Sequence, residues 1–308
     1  MKNFISAGDV TNVDALVEEA IKIKAKPFTP EIGHGKTLGL LFFNPSLRTR
    51  MSSQKAAQNL GMNTIVMDVS SQGWQLEFED GAVMNGSSQE HIKDAVQTMS
   101  QYVDVLGVRT FAGLKNREED YQELVLKQFL KYSDIPIISL ESATLHPLQS
   151  LADLITIKEQ NIIKPKVVLS WSAHPKPLPQ AVANSFLEWV RLTDASVTLT
   201  CPNGFELAPQ YCEGITIVND QYEAFKGADV VYAKNWSSYS DYGKIAPDAL
   251  WTINKDKMDL TNNAHFMHCL PVRRNVVASD AVLDSSIIYQ QAKNRIYSAQ
   301  TVIRNLII

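Results

Sequence analysis

The 308-residue chain holds only three cysteines, Cys201, Cys212 and Cys269, an odd number with no Cys-x-x-Cys spacing. That excludes a disulfide framework and suits a reducing compartment. No apolar run approaches the ~18 residues of a membrane span. The start, Met1-Lys2-Asn3-Phe4, lacks an apolar h-region, so no secretory signal is expected and a cytoplasmic location is. Basic residues are in deficit, 29 Lys and Arg against 33 Asp and Glu, for a net charge of −4. Nucleic acid and anionic membranes need a basic face, so neither is expected as a partner. A small anionic substrate needs only a local basic pocket and stays open. There is no Gly-x-Gly-x-x-Gly, and hence no dinucleotide fingerprint, and no short repeat or low-complexity tract. Gly35-Lys36-Thr37 looks like the tail of a Walker A loop. However, Pro30 stands where its first Gly belongs, and the run precedes its strand instead of following it. His265 and His268, three apart on a strand, point to opposite faces, so no metal and no other cofactor is expected.

What the chain does have is a 45% apolar, 20% charged composition, enough for one large or two ordinary soluble domains. Short apolar β-rich runs alternate with helical patterns. Strands are expected at 38–43, 64–68, 105–109, 135–140, 167–171, 197–201, 215–218, 230–233 and 264–268, with helices at 50–60, 92–103, 120–129, 148–159 and 180–190. In the second helix Ile92, Val96, Met99 and Val103 recur at helical spacing and form a core-facing stripe. Such alternation specifies an α/β fold with parallel sheets and helices on both faces.

Two runs carry the chemistry. Ser46-Leu47-Arg48-Thr49-Arg50 follows the apolar run Leu38 to Phe43, after a break at Asn44-Pro45, with Ser46 where a helix N-cap would stand. Free N–H groups at a helix N-terminus, together with guanidinium forks, make an anion cradle; the plainer reading is a capped helix with exposed arginines. His268-Cys269-Leu270-Pro271 closes the apolar stretch Ala264 to Met267, at a strand's C-terminal edge, where open α/β sheets bind ligands.

Together these runs resemble the aspartate/ornithine carbamoyltransferase family, whose phosphate signature is Ser-Thr-Arg-Thr-Arg, with Leu47 here in place of the first Thr. His146-Pro147-Leu148-Gln149-Ser150-Leu151-Ala152-Asp153 matches a second family motif, the stretch from Tyr102-Val103-Asp104 to Arg109 a third, and Asn294-Arg295 opens the closing helix. The matches run in family order from about residue 38 to 305. The resemblance implies two doubly wound parallel-sheet domains with the active site in the cleft between them. Residues 1–145, joined by a returning helix at 289–308, would bind carbamoyl phosphate, and 146–288 the acceptor amine. It also implies a homotrimer with shared active sites. In the acylornithine branch the segment after Trp236, a polar loop from Ser237 to Pro247, threads past the stiff run Pro175-Lys176-Pro177-Leu178-Pro179 to form a knotted backbone.

Carried onto this chain, the family pattern assigns carbamoyl phosphate to Ser46, Leu47, Arg48, Thr49, Arg50, Trp74, Arg109, His146, Gln149 and Arg295. Arg48 and Arg50 would hold the phosphate, while Thr49, Arg109 and His146 face the carbamoyl oxygen, which gains charge in the tetrahedral transition state. Gln149, both donor and acceptor, would orient the carbamoyl amide. Trp74 would reach a neighbouring subunit's phosphate. No enzyme nucleophile is needed, so Cys269 contributes through the carbonyls beside it, which accept from the attacking amine; with Arg109, His146 and Gln149 it completes the catalytic set. The acceptor set is Gln89, Glu141, His174, Lys234, Cys269, Leu270, Arg273 and Arg295.

The acceptor is read from departures. Ornithine enzymes hold the substrate α-ammonium with an Asp after the strand equivalent to 230–233, where this chain has Lys234. A cation there repels an α-ammonium by a few kcal/mol at short range. The expected acceptor is therefore an N-acylated ornithine, as the segments Trp171 to Pro177 and Val272 to Asn275 also indicate by resemblance. Acetyl enzymes carry Glu, and succinyl enzymes Pro, at the place of Gln89. A neutral Gln donates to a succinyl carboxylate where Glu would repel it. The expectation is N2-succinyl-L-ornithine in arginine biosynthesis, with N2-acetyl-L-ornithine as the alternative. A catalytically silent, metabolite-binding relative is a third reading, though it has no reason to keep Arg48, Arg50, Arg109, His146 and Gln149 together.

Overall fold

The computed structural model describes residues 1–245 and 248–308, so Ala246 and Pro247, at the end of the expected polar loop, lie outside the described residues. The chain divides into two compact units. The first is Met1–Ala112, Glu118–Leu148 and Arg295–Ile308; the second is Gly113–Arg117 and Gln149–Asn294. The divisions fall at 148/149 and 294/295, where the sequence pattern placed them at 145/146 and 288/289.

The first unit carries β1 (Thr37–Phe42), β2 (Asn63–Asp68), β3 (Leu76–Glu77), β4 (Glu90–His91), β5 (Val105–Arg109) and β6 (Ile137–Glu141). Four form a parallel sheet in the order β2-β1-β5-β6, and β3 and β4 pair separately. β5 and β6 are buried along their whole length and β1 after its first residue, as strands covered on both faces must be. This is why they read as continuous apolar runs. Edge strand β2 leaves Ile65 and Met67 exposed. The stripe of Ile92, Val96, Met99 and Val103 packs into one core cluster with Leu106 and Phe129.

The second unit carries β7 (Lys166–Trp171), β8 (Ser196–Thr200), β9 (Thr216–Val218), β10 (Val230–Lys234) and β11 (His265–Met267), parallel in the order β11-β10-β7-β8-β9. In each sheet the winding reverses once, between β1 and β5 and between β7 and β10. Ligands bind outside strand C-termini at such reversals.

Three local expectations are corrected. Ser46 is not the N-cap: the helix runs Arg48–Asn59, and the residue before it, Leu47, is itself helical and offers no side-chain cap. Gly61, at φ +78, then turns the chain into β2, and a Cβ there would meet the Pro30 carbonyl oxygen at 2.1 Å. The helix expected at 92–103 ends at Met99, where the Ser100 hydroxyl donates to the Val96 carbonyl at 2.8 Å. The helix expected at 120–129 is two, Arg117–Gln122 and Leu124–Tyr132, broken at Glu123 in the left-handed region (φ 52). There its carboxylate accepts from the Ser142 hydroxyl, the Thr144 hydroxyl and the Ala143 and Thr144 N–H groups at 2.6–3.2 Å.

Within the second unit the Ser237 N–H donates to the Leu178 carbonyl, and Gln180 Nε2 to the Ser237 carbonyl, both at 2.9 Å. The proline run and the segment after Trp236 therefore lie side by side. Among the described residues no helix is long and apolar enough to cross a membrane.

Candidate active site

Thr49, in the first turn of the helix Arg48–Asn59, lies at the β1/β5 reversal. Its Oγ1 accepts from Arg109 Nη1 at 3.1 Å and from Arg295 Nη2 at 2.6 Å. Arg109 ends β5 and Glu141 ends β6, paired across a register shift, and Arg109 Nη1 meets Glu141 Oε2 at 2.7 Å. His146 Nε2 lies 3.5 Å from the same carboxylate oxygen. All five residues are at most 7% exposed.

Burial, then the Arg295 and Arg109 guanidiniums, push the His146 pKa well below its usual 6.5. Its neutral ring leaves the cluster, two guanidiniums and one carboxylate, with a net charge of +1. At 3.5 Å the Glu141 carboxylate is too far from Nε2 to commit the ring's proton to a hydrogen bond. Among the described residues neither Arg109 Nε nor His146 Nδ1 finds a hydrogen-bond partner. Buried orphan groups of this kind mark a place for a ligand.

Arg48 and Arg50 stand half-buried beside this cluster in sequence. Arg50 faces Asp68 at 3.7 Å and lies over the Phe42 ring. Ser46 is half-buried and Leu47 exposed.

The loop around β3 and β4 is built by backbone and side chains together. Gln89 N–H donates to the Gln75 carbonyl, and Gln89 Oε1 accepts from the Gln75 N–H, both at 3.0 Å. That leaves the Gln89 NH2 as its presenting end. Trp74 is 59% exposed, with Nε1 donating to Glu90 Oε2 at 2.8 Å. Asp80 anchors the loop to the helix Leu124–Tyr132 through Lys131 and the Tyr132 hydroxyl, which hold its pKa down at about 2. A pocket of ≈390 Å³ in this unit is lined by Met67, Trp74, Leu76, Tyr102 and Phe129 among others.

In the second unit, Lys234 ends β10, buried, with Nζ donating to the Asn235 carbonyl at 2.5 Å. Arg273 Nε donates to His174 Nε2 at 3.2 Å, so the His174 proton is on Nδ1, which donates to the Lys176 carbonyl at 2.8 Å. Burial lowers the His174 pKa; the Lys176 carbonyl opposes this, while Lys234, Arg273 and Lys176 add to it. The ring is neutral among cations, and the site is positive. Just past β11, Cys269 is buried and Leu270 half-buried, and the Leu270 N–H is held by His268 Nδ1 at 2.9 Å.

Gln149 stands in the first turn of the helix Pro147–Lys158, in the second unit, with Nε2 donating to Asp153 Oδ1 at 2.7 Å. Asp153, which accepts from Gln149, and Gln291, which donates to the same Asp153 oxygen, were not among the expected site residues, although Asp153 closes the motif that begins at His146. Asp153 had a signal, lying four residues from Gln149 on one helix face. Gln291 had none.

Residues 2–159 match the family described as "Aspartate/ornithine carbamoyltransferase, carbamoyl-P binding domain", and 179–306 its "Asp/Orn binding domain". The chain is 49% identical over 314 residues to an N-succinylornithine carbamoyltransferase of Bacteroides thetaiotaomicron, covering 100% of this chain and 99% of the relative. It is 37% identical to an N-acetylornithine carbamoyltransferase of Xanthomonas axonopodis pv. citri, covering 99% and 96%. Among solved structures, an N-acetyl-L-ornithine transcarbamylase with one Glu replaced by Pro, complexed with carbamyl phosphate and N-succinyl-L-norvaline, superimposes with a TM-score of 0.94. That pair is 35% identical, covering 99% of this chain and 100% of that one.

Proposed function

We infer that this chain, which belongs to the aspartate/ornithine carbamoyltransferase family, transfers the carbamoyl group of carbamoyl phosphate to the δ-amine of N2-succinyl-L-ornithine, giving N2-succinyl-L-citrulline and phosphate. The observation that carries the first half is the convergence of Arg109 and Arg295 on Thr49 Oγ1 in a buried cluster of net positive charge. Such a cluster takes an anion, and its donors suit an oxygen that becomes more negative during reaction. In this reading Arg48 and Arg50, with the uncapped start of their helix, hold the phosphate and stabilise it as it leaves. Thr49, Arg109 and the His146 ring face the carbamoyl oxygen, and Gln149 its amide. Ser46, Leu47 and Arg295 complete the pocket, and Trp74 serves a neighbouring copy.

The acceptor half rests on cations. Lys234 and Arg273, around the neutral His174, select against a free α-ammonium and for carboxylates. The δ-ammonium, with a free pKa near the 10.4 of Lys, must lose its proton before it attacks. In this reading the carbonyls beside Cys269 and Leu270 accept from the amine as it does so, and Glu141 is assigned to the acceptor's side. The δ-nitrogen lone pair forms the C–N bond, the nitrogen passes a proton to the departing phosphate, and the tetrahedral intermediate collapses as the C–O bond to phosphate breaks. Succinyl is preferred to acetyl as the acyl group. The higher identity to a succinylornithine enzyme supports this, as does the neutral Gln89, whose amide NH2 is turned outward by the Gln75 N–H.

Arginine biosynthesis is the setting, in the cytoplasm, with a homotrimer as the working unit. Exposed Leu47, Met51, Ile65, Met67 and Trp74 on the first unit supply apolar surface for such self-association. A colorimetric assay for the ureido product, run with succinyl-, acetyl- and free ornithine, tests the reading. Product is expected with the succinylated amine first, and no product with any acceptor would sink it.

A further inference from the structure

We propose that Asp153 is a positioning residue that decides which end of the Gln149 amide meets the carbamoyl group, and that Gln291 locks this choice to the segment carrying Cys269 and Leu270. The proposal rests on the function inferred above. Asp153 Oδ1 accepts two amide hydrogen bonds, from Gln149 Nε2 and from Gln291 Nε2, each at 2.7 Å. All three side chains are at most 1% exposed. Turning either amide over would set a carbonyl oxygen against that carboxylate oxygen at the same distance, with no water to separate them. Each amide therefore has one allowed orientation.

The consequence travels both ways. On one side, the Gln149 NH2 is committed inward, so its carbonyl is the end directed away from Asp153. On the other, Gln291 Oε1 accepts from the His268 N–H at 2.9 Å, and His268 Nδ1 accepts from the Leu270 N–H at 2.9 Å. A single buried carboxylate thus sets the polarity of a chain of bonds from Gln149 to Leu270. Carbamoyl phosphate ends in an NH2 group, which donates. An acceptor facing it recognises carbamoyl phosphate and leaves acetyl phosphate, with CH3 at the same place, without that bond.

The test uses calorimetric binding of carbamoyl phosphate and acetyl phosphate to the whole protein. Asp153→Leu keeps the approximate size but offers no acceptor, so both glutamine amides lose the bond that orients them. The preference for carbamoyl over acetyl phosphate should fall ~10- to 100-fold, as for a buried hydrogen bond lost with its partner unsatisfied. Turnover should fall with it, while KM for the acylornithine holds. The decisive variant is the double Gln149→Glu/Asp153→Asn, which reverses the polarity at constant charge. The introduced amide donates to the introduced carboxylate, still accepts from Gln291, and leaves a carboxylate oxygen outward as acceptor. It should fold and recover the carbamoyl preference to within ~tenfold of the original, even if the relocated charge weakens both ligands, and it serves alone should Asp153→Leu not fold. Equal weakening of both ligands in the single variant, or a double variant with no recovered preference, overturns the proposal. An unaltered protein that binds no carbamoyl phosphate overturns the functional reading itself, a separate outcome.

Discussion

Arg109 and Glu141, the last residues of neighbouring parallel strands, form a buried ion pair of 2.7 Å, and the same Arg109 nitrogen donates to the Thr49 hydroxyl. The pair is useful because it is incomplete. Arg295 adds a second cation that one carboxylate does not balance, so the unliganded site carries an excess charge that an anion removes.

Glu141→Gln should therefore behave in two opposed ways. Without ligand, the variant loses the carboxylate between guanidiniums, and breaking a buried pair destabilises by ~3–5 kcal/mol. With carbamoyl phosphate present, the added anion takes over that neutralising role. Thermal melting should show a lower Tm for the variant in plain buffer and a larger ligand-induced rise than in the unaltered protein. An equal rise in both would mean that Glu141 does not share the anion's electrostatics.

His146 makes stability depend on pH. Its folded pKa lies well below the 6.5 it has when unfolded. As pH falls below 6.5 the unfolded chain takes up a proton that the folded one refuses, so stability is present above 6.5 and lost progressively beneath it. The slope is at most ~1.4 kcal/mol per pH unit for one group. Urea midpoints at pH 7.5 and 5.5 should separate less in His146→Gln than in the unaltered protein; an identical separation would show that folding leaves the His146 pKa where it is in the unfolded chain.

Much of this was legible beforehand because buried parallel strands leave a plain record. β1, β5, β7 and β10 read as apolar runs, and Arg109, Lys234 and Cys269 were placed at strand ends from that record alone. What escaped depended on partners distant in sequence. Glu123 sits in a helical pattern, and only the Ser142, Ala143 and Thr144 donors explain why the helix breaks there. Ser46 has the chemistry of an N-cap but the helix starts too late to use it. Gln291 looks like any polar residue of a long helix until Asp153 and His268 are beside it.

Gln89→Glu should convert acceptor preference by charge alone. A Glu carboxylate accepts the same bond from the Gln75 N–H, so the loop keeps its shape. A second carboxylate near the succinyl carboxylate costs ~1–4 kcal/mol. Succinylornithine turnover should drop roughly ten- to several-hundred-fold, at about 1.4 kcal/mol per decade, with acetylornithine spared. Equal losses on both acceptors would remove Gln89 from the specificity determinants.

If Trp74 serves a neighbouring copy, Trp74→Ala should weaken carbamoyl phosphate binding without unfolding the chain, since the side chain is 59% exposed. Mixing Trp74→Ala chains with Arg48→Ala chains should restore part of the lost activity, because some sites then combine two intact contributions. Mixed oligomers that recover nothing would show that each site is made by one chain.

The bond between Thr49 and Arg295 joins residues 246 positions apart. On the ribosome, the first unit's sheet strands are all out long before Arg295 is made, yet the cradle gains its second guanidinium only with the closing helix Ile288–Ile307. A nascent chain therefore carries a cluster in which Arg109 and Glu141 cancel, and on the proposed function a copy whose translation stops before that helix would hold its anionic substrate weakly. Arrival of the last helix arms the anion site, so capture of carbamoyl phosphate is timed to follow synthesis of the second sheet instead of preceding it.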